Sequence, residues 1–331
     1  MKLSRRARAA ARTLRYACYL GALAVGVVAF APRVGVFSQS RVDARDHGYT
    51  QSGWLNQWQL DEASGMVRSL VEPNRFWFVN DDGVARVYAK DTTGQPRGSV
   101  RLSGAWNRDW ESLAVARWRG DPWLLVADVG DNYGRYPSVW LYLVPEPAFE
   151  GAGDAVAEVV TTPRVVEVVL EDGPRDVEAV AVDADHAQVL FISKRDPIPR
   201  IYGVPLSAVF GASPVSPSTV QATRLGALHL PTRRSSVWDW LDFKLLVHGY
   251  GPTGFDISPD GRHAAILSHR AVWLYTRSDG ETWVSALARP PLPLGEHGLL
   301  QSESVGFTDD GNAILLTSEG RYAPLLRRSI E

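Results

Sequence analysis

One short pattern occurs five times along the chain, and each time a polar residue, usually glutamate, precedes a run of apolar residues. Turn-forming residues and a second apolar run follow each start, which is the composition of a β-hairpin. A unit repeated in this way buries its apolar face against neighbouring copies. The five starts are Glu62 (EASGMV), Glu111 (ESLAV), Glu178 (EAVAVD), Thr253 (TGFDISPDG) and Glu303 (ESVGFTDDG).

Further strands follow each hairpin. A third run has alternating or aromatic character: ARVYAKD, SVWLYLV, RIYGVPL, AVWLYTR and, more weakly, APLLRR. Fourth strands are predicted at 97–102, 164–171, 219–228 and 282–288. Four-stranded antiparallel units repeated about an axis are typical of a β-propeller. The sequence therefore predicts an all-β fold, a β-propeller of four-stranded blades.

The repeats favour five blades over residues 53–331, with a sixth blade within 205–250 as the alternative. The last repeat has only three strands, and the stretch 53–60 (GWLNQWQL) precedes the first repeat without a partner. We expect this stretch to complete the final blade, because closure removes exposed sheet edges. Residues 231–250 lack the repeat pattern and are predicted to be an insertion.

The amino terminus has the composition of an export signal or a membrane anchor. Six of the 35 basic residues precede residue 16, and an apolar stretch covers 16–31. Residues 1–37 are interpreted as a basic segment plus an uncleaved signal-anchor helix, and 38–52 as a linker. The positive-inside rule then places the propeller outside the cytoplasm. The alternative is a cleaved signal peptide and a secreted protein.

Charge and cysteine content limit the possible partners. The chain after residue 15 has 29 basic against 37 acidic residues, whereas nucleic-acid binding requires a basic surface. Nucleic acid is therefore not an expected partner. Cys18 is the single cysteine, so no disulfide framework is expected. A closed ring needs no second subunit to cover its edges, and a monomer is predicted.

Propeller geometry predicts where the polar starts of the repeats lie. The first strand of each blade lines the central channel, and its start shares a face with the turn between the second and third strands. The starts Glu62, Glu111, Glu178, Thr253 and Glu303 should therefore converge into a polar funnel. The second-turn residues expected beside them are Asn80, Asp81, Asp128, Asp131, Asn132, Lys194, Arg195, His269, Arg270, Glu319 and Arg321.

Several carboxylates in one narrow funnel raise one another's pKa, so protons, basic side chains or a metal must compensate their charge. Oxygen ligands without cysteine or histidine indicate Ca²⁺ or Mg²⁺, and six to eight oxygens suit Ca²⁺ best. The alternative is a salt-bridge network with Lys194, Arg195, Arg270 and Arg321.

The motifs EASGMV, FVNDDGVARVYAKD, WESLAV, VEAVAVD and SESVGFTDDG resemble blade starts of the esterase-like phytase and SdiA-regulated propellers, relatives of the calcium-dependent gluconolactonases. The resemblance spans about 54–327. It implies a divalent cation at the channel mouth, with Glu62 as a ligand and Glu111, Glu178 and Glu303 in repeated positions. The chain departs from these relatives at Thr253–Gly254, where an Asn-Gly pair is more familiar, and in its five predicted blades instead of six.

Two functions are compatible with this interpretation, because a propeller alone does not determine function. The first is a membrane-tethered module whose funnel binds a small molecule or an envelope protein, through Asn80, Asp81, Asp131, Asn132, Lys194 and Arg270. The second is a metal-dependent hydrolase of an ester, lactone or phosphate ester, in which Asp128 accepts the proton.

Overall fold

The computed structural model describes residues 44–149, 157–211, 217–231 and 251–330. These residues form mainly β-strands, with a 3-10 helix at Ala44–His47 and two short α-helices, α1 (Leu206–Gly211) and α2 (Trp283–Leu287). No helix among them is long and apolar enough to span a membrane. The predicted anchor within 1–37 and most of the predicted insertion lie outside the described residues.

The strands follow one another with short connections. In chain order they are β1 (Tyr49–Trp54), β2 (Ala63–Arg68), β3 (Arg75–Asn80), β4 (Arg86–Asp91), β5 (Pro96–Leu102), β6 (Trp110–Trp118), β7 (Asp121–Asp128), β8 (Val139–Pro145), β9 (Glu158–Thr161), β10 (Arg164–Leu170), β11 (Val177–Asp183), β12 (Gln188–Ser193), β13 (Arg200–Pro205), β14 (Ser218–Ala227), β15 (Gly254–Ile257), β16 (His263–Leu267), β17 (Ala271–Thr276), β18 (Leu292–Glu296), β19 (Ser302–Phe307), β20 (Ala313–Ser318) and β21 (Pro324–Ser329).

These strands pair into five antiparallel groups of four. Groups one to four are β2–β5, then β6, β7, β8 and β10, then β11–β14, then β15–β18, and group five is β19–β21 with β1. Strand β9 adds in parallel to β5, and β10 pairs in parallel with β14, which joins groups two and three. The first strands contact one another in the cyclic order β2, β6, β11, β15, β19 and again β2. The predicted all-β, propeller-like fold is confirmed.

Apolar side chains fill the spaces between successive groups. Five buried clusters each combine residues of two neighbouring groups: Trp77 with Leu124, for example, and Phe191 with Leu141. First strands such as β19 are buried along their whole length, because neighbours cover both of their faces. The large rings of Trp77 and Trp283 are fully buried in these spaces. Packing between groups therefore positions the first strands around a common axis.

Hydroxyl groups also connect the first strands at one end. Ser304 Oγ donates a hydrogen bond to the carbonyl of Ala63 (3.0 Å), and Thr253 Oγ1 donates to the carbonyl of Ser302 (2.8 Å). The backbone N–H of Trp110 similarly donates to the carbonyl of Asp81, which follows the second strand of the preceding group. The strand starts and the second turns thus lie on one face, which we call the funnel face.

The amino-terminal strand completes group five, but its bounds differ from the prediction. Strand β1 pairs antiparallel with β21 over 49–54, not over 53–60, and so takes up the end of the predicted linker. The apolar residues Leu55 and Leu60, which suggested a strand, are buried in the cluster between groups five and one. Their segment forms turns instead, in which Gln57 N–H bonds to the Leu55 carbonyl.

The alternative sixth blade was placed within 205–250. Helix α1 and strand β14 occupy the described part of this range, and β14 completes group three through its antiparallel pairing with β13. Residues 212–216 and 232–250 lie outside the described residues.

A buried carboxylate links groups one and two. Glu146, directly after β8, accepts hydrogen bonds from Ser69 Oγ, from the backbone N–H of Leu70 (3.0 Å) and from Trp77 Nε1 (2.8 Å). All three donors belong to group one. The carboxylate therefore satisfies buried donors of the neighbouring group.

Replacing Glu146 with glutamine is expected to lower the free energy of unfolding by about 2 kcal/mol, because the amide loses the charge and turns an N–H₂ group towards donors. Urea denaturation measures this loss. The matched control is Glu158→Gln, which removes a partly exposed ion pair with Arg86 (2.6 Å) and is expected to cost less than about 1 kcal/mol. Equal losses for the two variants would contradict the role given to Glu146.

Candidate functional site

Three glutamates occupy bulges at the starts of the first strands. In group two, Trp110 pairs with Asp128 and Ser112 with Ala127, so Glu111 has no partner in the ladder. The same irregularity leaves out Glu178 and Glu303 in groups three and five. A bulge frees one residue from pairing and redirects its side chain.

Glu62 does not hold this position in group one. The bulge there falls at Ser64, between the pairs Ala63–Asn80 and Gly65–Val79. Glu62 lies two residues before this bulge, and its carbonyl accepts the N–H of Asp81 (3.1 Å). In group three the carbonyl of Asp176 accepts the N–H of Lys194 (3.0 Å) in the same way. Glu62 is therefore the counterpart of Asp176, not of Glu178. The alignment of Glu62 with the three glutamates is thus wrong by two residues, because a sequence does not show where a bulge falls.

The three bulged glutamates meet around Lys194. Lys194 Nζ forms a buried ion pair with Glu178, and the charges of Glu303 and Glu111 also act on it. Burial alone would lower the pKa of Lys194, but these three carboxylates raise it above its usual value. We call Glu111, Glu178, Glu303 and Lys194 the central cluster. It combines groups two, three and five.

The three carboxyl groups of the central cluster have raised pKa values. Burial, and then the charges of neighbouring carboxylates, raise the pKa of both Glu111 and Glu303 well above the ordinary value. Burial also raises the pKa of Glu178, against the opposing charge of Lys194. The ammonium group of Lys194 thus pairs with one carboxylate, and His269 Nε2 lies 3.9 Å from Glu303 Oε1. The raised pKa values of Glu111 and Glu303 favour their protonated forms.

A second set of carboxylates lies at the end of β3. Oxygens of Glu62, Asp81 and Asp82 all lie within 4.8 Å of one another. Asn80 orients the loop, since its Oδ1 accepts the N–H of Glu62 (3.2 Å) and its Nδ2 donates to the carbonyl of Gln59 (2.7 Å). We call Glu62, Asp81 and Asp82 the mouth cluster.

Two features of Asp81 suit a cation. Its Oδ1 atom is buried and has no hydrogen-bond partner among the described residues. Burial raises its pKa to about 6, although a hydrogen bond with Glu62 opposes the rise. Oxygen-only ligands of this kind fit Ca²⁺ or Mg²⁺, so the residues present are compatible with the cation that the resemblance implies.

Asp128, the predicted proton acceptor, is held in an ion pair. It is completely buried, and its Oδ1 and Oδ2 accept hydrogen bonds from Arg108 Nε (3.1 Å) and from the Arg108 backbone N–H (3.3 Å). Burial raises the pKa of Asp128 to about 6, and Arg108 opposes this rise. Sequence reasoning missed Arg108, because it precedes a first strand and lies outside the predicted second turns.

Three other predicted residues, Asp131, Asn132 and Arg195, form a third set near groups two and three. The N–H of Asp131 donates to Asp176 Oδ1 (2.9 Å), and Asp131 Oδ2 accepts the N–H of Tyr136 (2.7 Å). Arg195 pairs with Asp176 and donates to Asn132 Oδ1. Asp176 joins these residues and was not predicted.

The predicted basic partners divide between separate contacts. Lys194 pairs with Glu178 and Arg195 with Asp176, as described above, whereas Arg321 Nε lies 3.3 Å from Asp61. Arg270 is partly buried in group four, where its carbonyl accepts the N–H of His297 (3.3 Å). The predicted basic residues therefore have different partners, and the funnel face does not hold one ring of equivalent acids.

Comparison with known proteins identifies no family for this chain. No family model matches the sequence, and no curated protein matches it. Among solved structures, the chain is similar to hydrazine synthase of Kuenenia stuttgartiensis, with 15% identity over 78% of this chain and a TM-score of 0.37. The match covers 56% of that chain. A TM-score this low supports no conclusion, and the fold assignment rests on the strand arrangement described above.

Proposed function

We propose that this protein is an extracytoplasmic, membrane-tethered, monomeric five-bladed β-propeller that binds a ligand or an envelope protein at its funnel face. The cyclic contacts of β2, β6, β11, β15 and β19 support the count of five. The basic and apolar amino terminus supports the tether.

The observation that carries this proposal is that Asp128, the candidate proton acceptor, and Glu178 of the central cluster already have intramolecular partners. Arg108 holds Asp128 through two hydrogen bonds, and Lys194 forms an ion pair with Glu178. A general base must be able to accept a proton from the substrate or its water. Groups committed to structural ion pairs favour a rigid recognition surface over a reactive centre.

We place the proposed Ca²⁺ at the mouth cluster and not at the central cluster. The ammonium group of Lys194 supplies positive charge at the centre, where a divalent cation would have to displace it. The mouth cluster has three carboxylates, and Oδ1 of Asp81 has no hydrogen-bond partner in the part of the chain that the structure describes. A bound cation would neutralise these carboxylates and fix the loop after β3.

Calcium is expected to raise the melting temperature of the wild-type protein by about 5 °C at a concentration near 100 times its Kd, since ligand binding to the native state stabilises it by about 2.7 kcal/mol under that condition. Asp81→Asn is expected to remove most of this shift. Differential scanning fluorimetry with Ca²⁺ and with a chelator measures both effects.

The matched control is Asp279→Asn, which changes an exposed acid at the opposite end of group four. This variant is expected to keep the full shift. A wild-type protein that gains no stability from Ca²⁺ would show that it binds no Ca²⁺. An Asp81→Asn variant that gains as much as wild type would show that Ca²⁺ binds outside the mouth cluster.

The alternative, a metal-dependent hydrolase, is favoured by one observation. The raised pKa values of Glu111 and Glu303 occur at buried positions beside the axis, and perturbed acids of this kind are frequent in active sites. Turnover of a lactone, an aryl ester or a phosphate ester, abolished by chelator and by Glu111→Gln, would establish the enzyme. Calcium-dependent stability without turnover of any of the three supports the binding module.

A further inference from the structure

Exposed apolar side chains concentrate on the funnel face. Of the twelve large exposed apolar residues among the described ones, eight lie in loops that precede first strands or join second to third strands. The other four are on strands away from the axis: Trp54, Val160, Leu225 and Leu292. Concentrated exposure of this kind marks an interaction surface, whereas scattered exposure needs no explanation.

The densest part of this surface is in group two. Trp106, Tyr133 and Tyr136 are 64%, 78% and 39% exposed. Both tyrosine rings make cation–π contacts with arginines. The guanidinium of Arg135 lies 4.7 Å from the Tyr133 ring centroid, and that of Arg108 lies 3.9 Å from the Tyr136 ring centroid. We call Trp106, Tyr133, Arg135 and Tyr136 the aromatic patch.

The exposed charge of the aromatic patch is positive. Of the nearby carboxylates, Asp128, Asp131 and Asp176 are buried and engaged by Arg108, Tyr136 and Arg195, as described above. Asp109 is half-buried against Gly130. Arg135 is exposed and has no ion pair among the described residues. The patch therefore offers flat aromatic faces and one available guanidinium group.

We propose that the aromatic patch binds an acidic polysaccharide, a chain of sugar rings that carry carboxylates. The C–H faces of a sugar ring pack against exposed tyrosine and tryptophan rings, which are amphipathic. A guanidinium group binds a carboxylate with two parallel hydrogen bonds. Arg135 beside Tyr133 thus complements the charge and the shape of one uronic acid unit.

This inference rests on the proposed function, because it names a ligand for the same face. A nucleic acid also combines rings with negative charge, but binding its backbone requires a stripe of basic side chains, whereas the aromatic patch has one exposed cation, Arg135. A single guanidinium group and neighbouring aromatic faces are enough to bind one uronic acid unit through its carboxylate and its C–H face.

Affinity electrophoresis in native gels tests the proposal, with polygalacturonate, neutral dextran or poly-dT as the immobilised probe. We expect polygalacturonate to retard the full chain, and dextran and poly-dT to retard it at least about tenfold less. The double variant Tyr133→Ala, Arg135→Gln is expected to lose about tenfold or more in apparent affinity. Tyr322→Ala, an exposed ring of group five on the same face, is the control and should bind as wild type.

Three results would overturn the proposal: no retardation by polygalacturonate, equal retardation by poly-dT or dextran, or an unchanged double variant. The calcium-induced melting shift, measured on the same preparations, distinguishes the two hypotheses. A retained shift without retardation rejects the polysaccharide and leaves the Ca²⁺-binding module standing, whereas loss of both rejects the two together.

Discussion

Replacement of Lys194 with methionine is expected to lower the free energy of unfolding by about 3–5 kcal/mol at pH 8. Lys194 is the cation of the central cluster and forms a buried ion pair with Glu178. Removing one partner of a buried pair leaves an uncompensated charge in a medium of low dielectric constant, which is much costlier than the loss of an exposed pair. Urea denaturation at fixed pH measures the difference.

The size of this effect should depend on pH. The folded-state pKa values of Glu111, Glu178 and Glu303 are raised, so the native state binds more protons than the unfolded state and stability falls as pH rises through those values. Without Lys194, these pKa values rise further. The loss is therefore expected to shrink to about 1 kcal/mol at pH 5, where protonated glutamates need no counter-charge.

A second substitution provides the control. Glu178→Gln in the Lys194→Met background removes the carboxylate left without its partner, and we expect it to recover most of the stability at pH 8. A Lys194→Met variant as stable as wild type at pH 8, or one whose loss grows towards pH 5, would show that the central cluster is not held by this ion pair.

The propeller-like fold followed from the sequence because its signal is local and repeated. Each repeat carries its own alternation of apolar runs and turns, as in the stretch from Glu178 through β12, so an error in one repeat does not disturb the others. The bounds of β1 were harder to predict from the sequence. Strand β1 is polar and exposed on an outer edge, whereas the more apolar Leu55 and Leu60 pack as turn residues.

The composition of the candidate site was only partly predictable. Propeller geometry correctly brought Glu111, Glu178, Glu303 and Lys194 together, since each is near the start of a first strand or the end of a second. Glu62 lies two residues before the bulge of its strand, whereas the other three glutamates occupy theirs, and no sequence signal marks where the bulge falls. The partner of Asp128 depended on Arg108, which reaches it from the loop before β6.

A buried lysine away from the site is the clearest departure from the sequence pattern. Lys90 in the run ARVYAKD has the alternation of a strand with a solvated side chain, yet it is fully buried and its Nζ has no hydrogen-bond partner among the described residues. It shares a face of β4 with Tyr88, which packs between groups five and one. Burial lowers the pKa of Lys90 to about 7.

Lys90→Met is expected to stabilise the protein by about 2–4 kcal/mol at pH 6. A fall in the lysine pKa from 10.5 to about 7 corresponds to a cost of about 5 kcal/mol for the buried charge, and imperfect packing of methionine offsets part of the gain. Between pH 7 and pH 10.5 the lysine is protonated in the unfolded state but neutral in the folded state. The cost of burying the charged lysine is therefore complete below about pH 7 and disappears as pH rises towards 10.5.

The advantage of Lys90→Met over wild type should therefore be largest at pH 6 and small at pH 10, as urea denaturation at several pH values would show. Lys90→Arg is the informative comparison, because arginine keeps its charge throughout this range. We expect it to destabilise the protein at every pH, without the recovery that lysine gains by losing its proton. A Lys90→Met variant less stable than wild type at pH 6 would mean that the ammonium group has a partner and that its burial is not a cost to the fold.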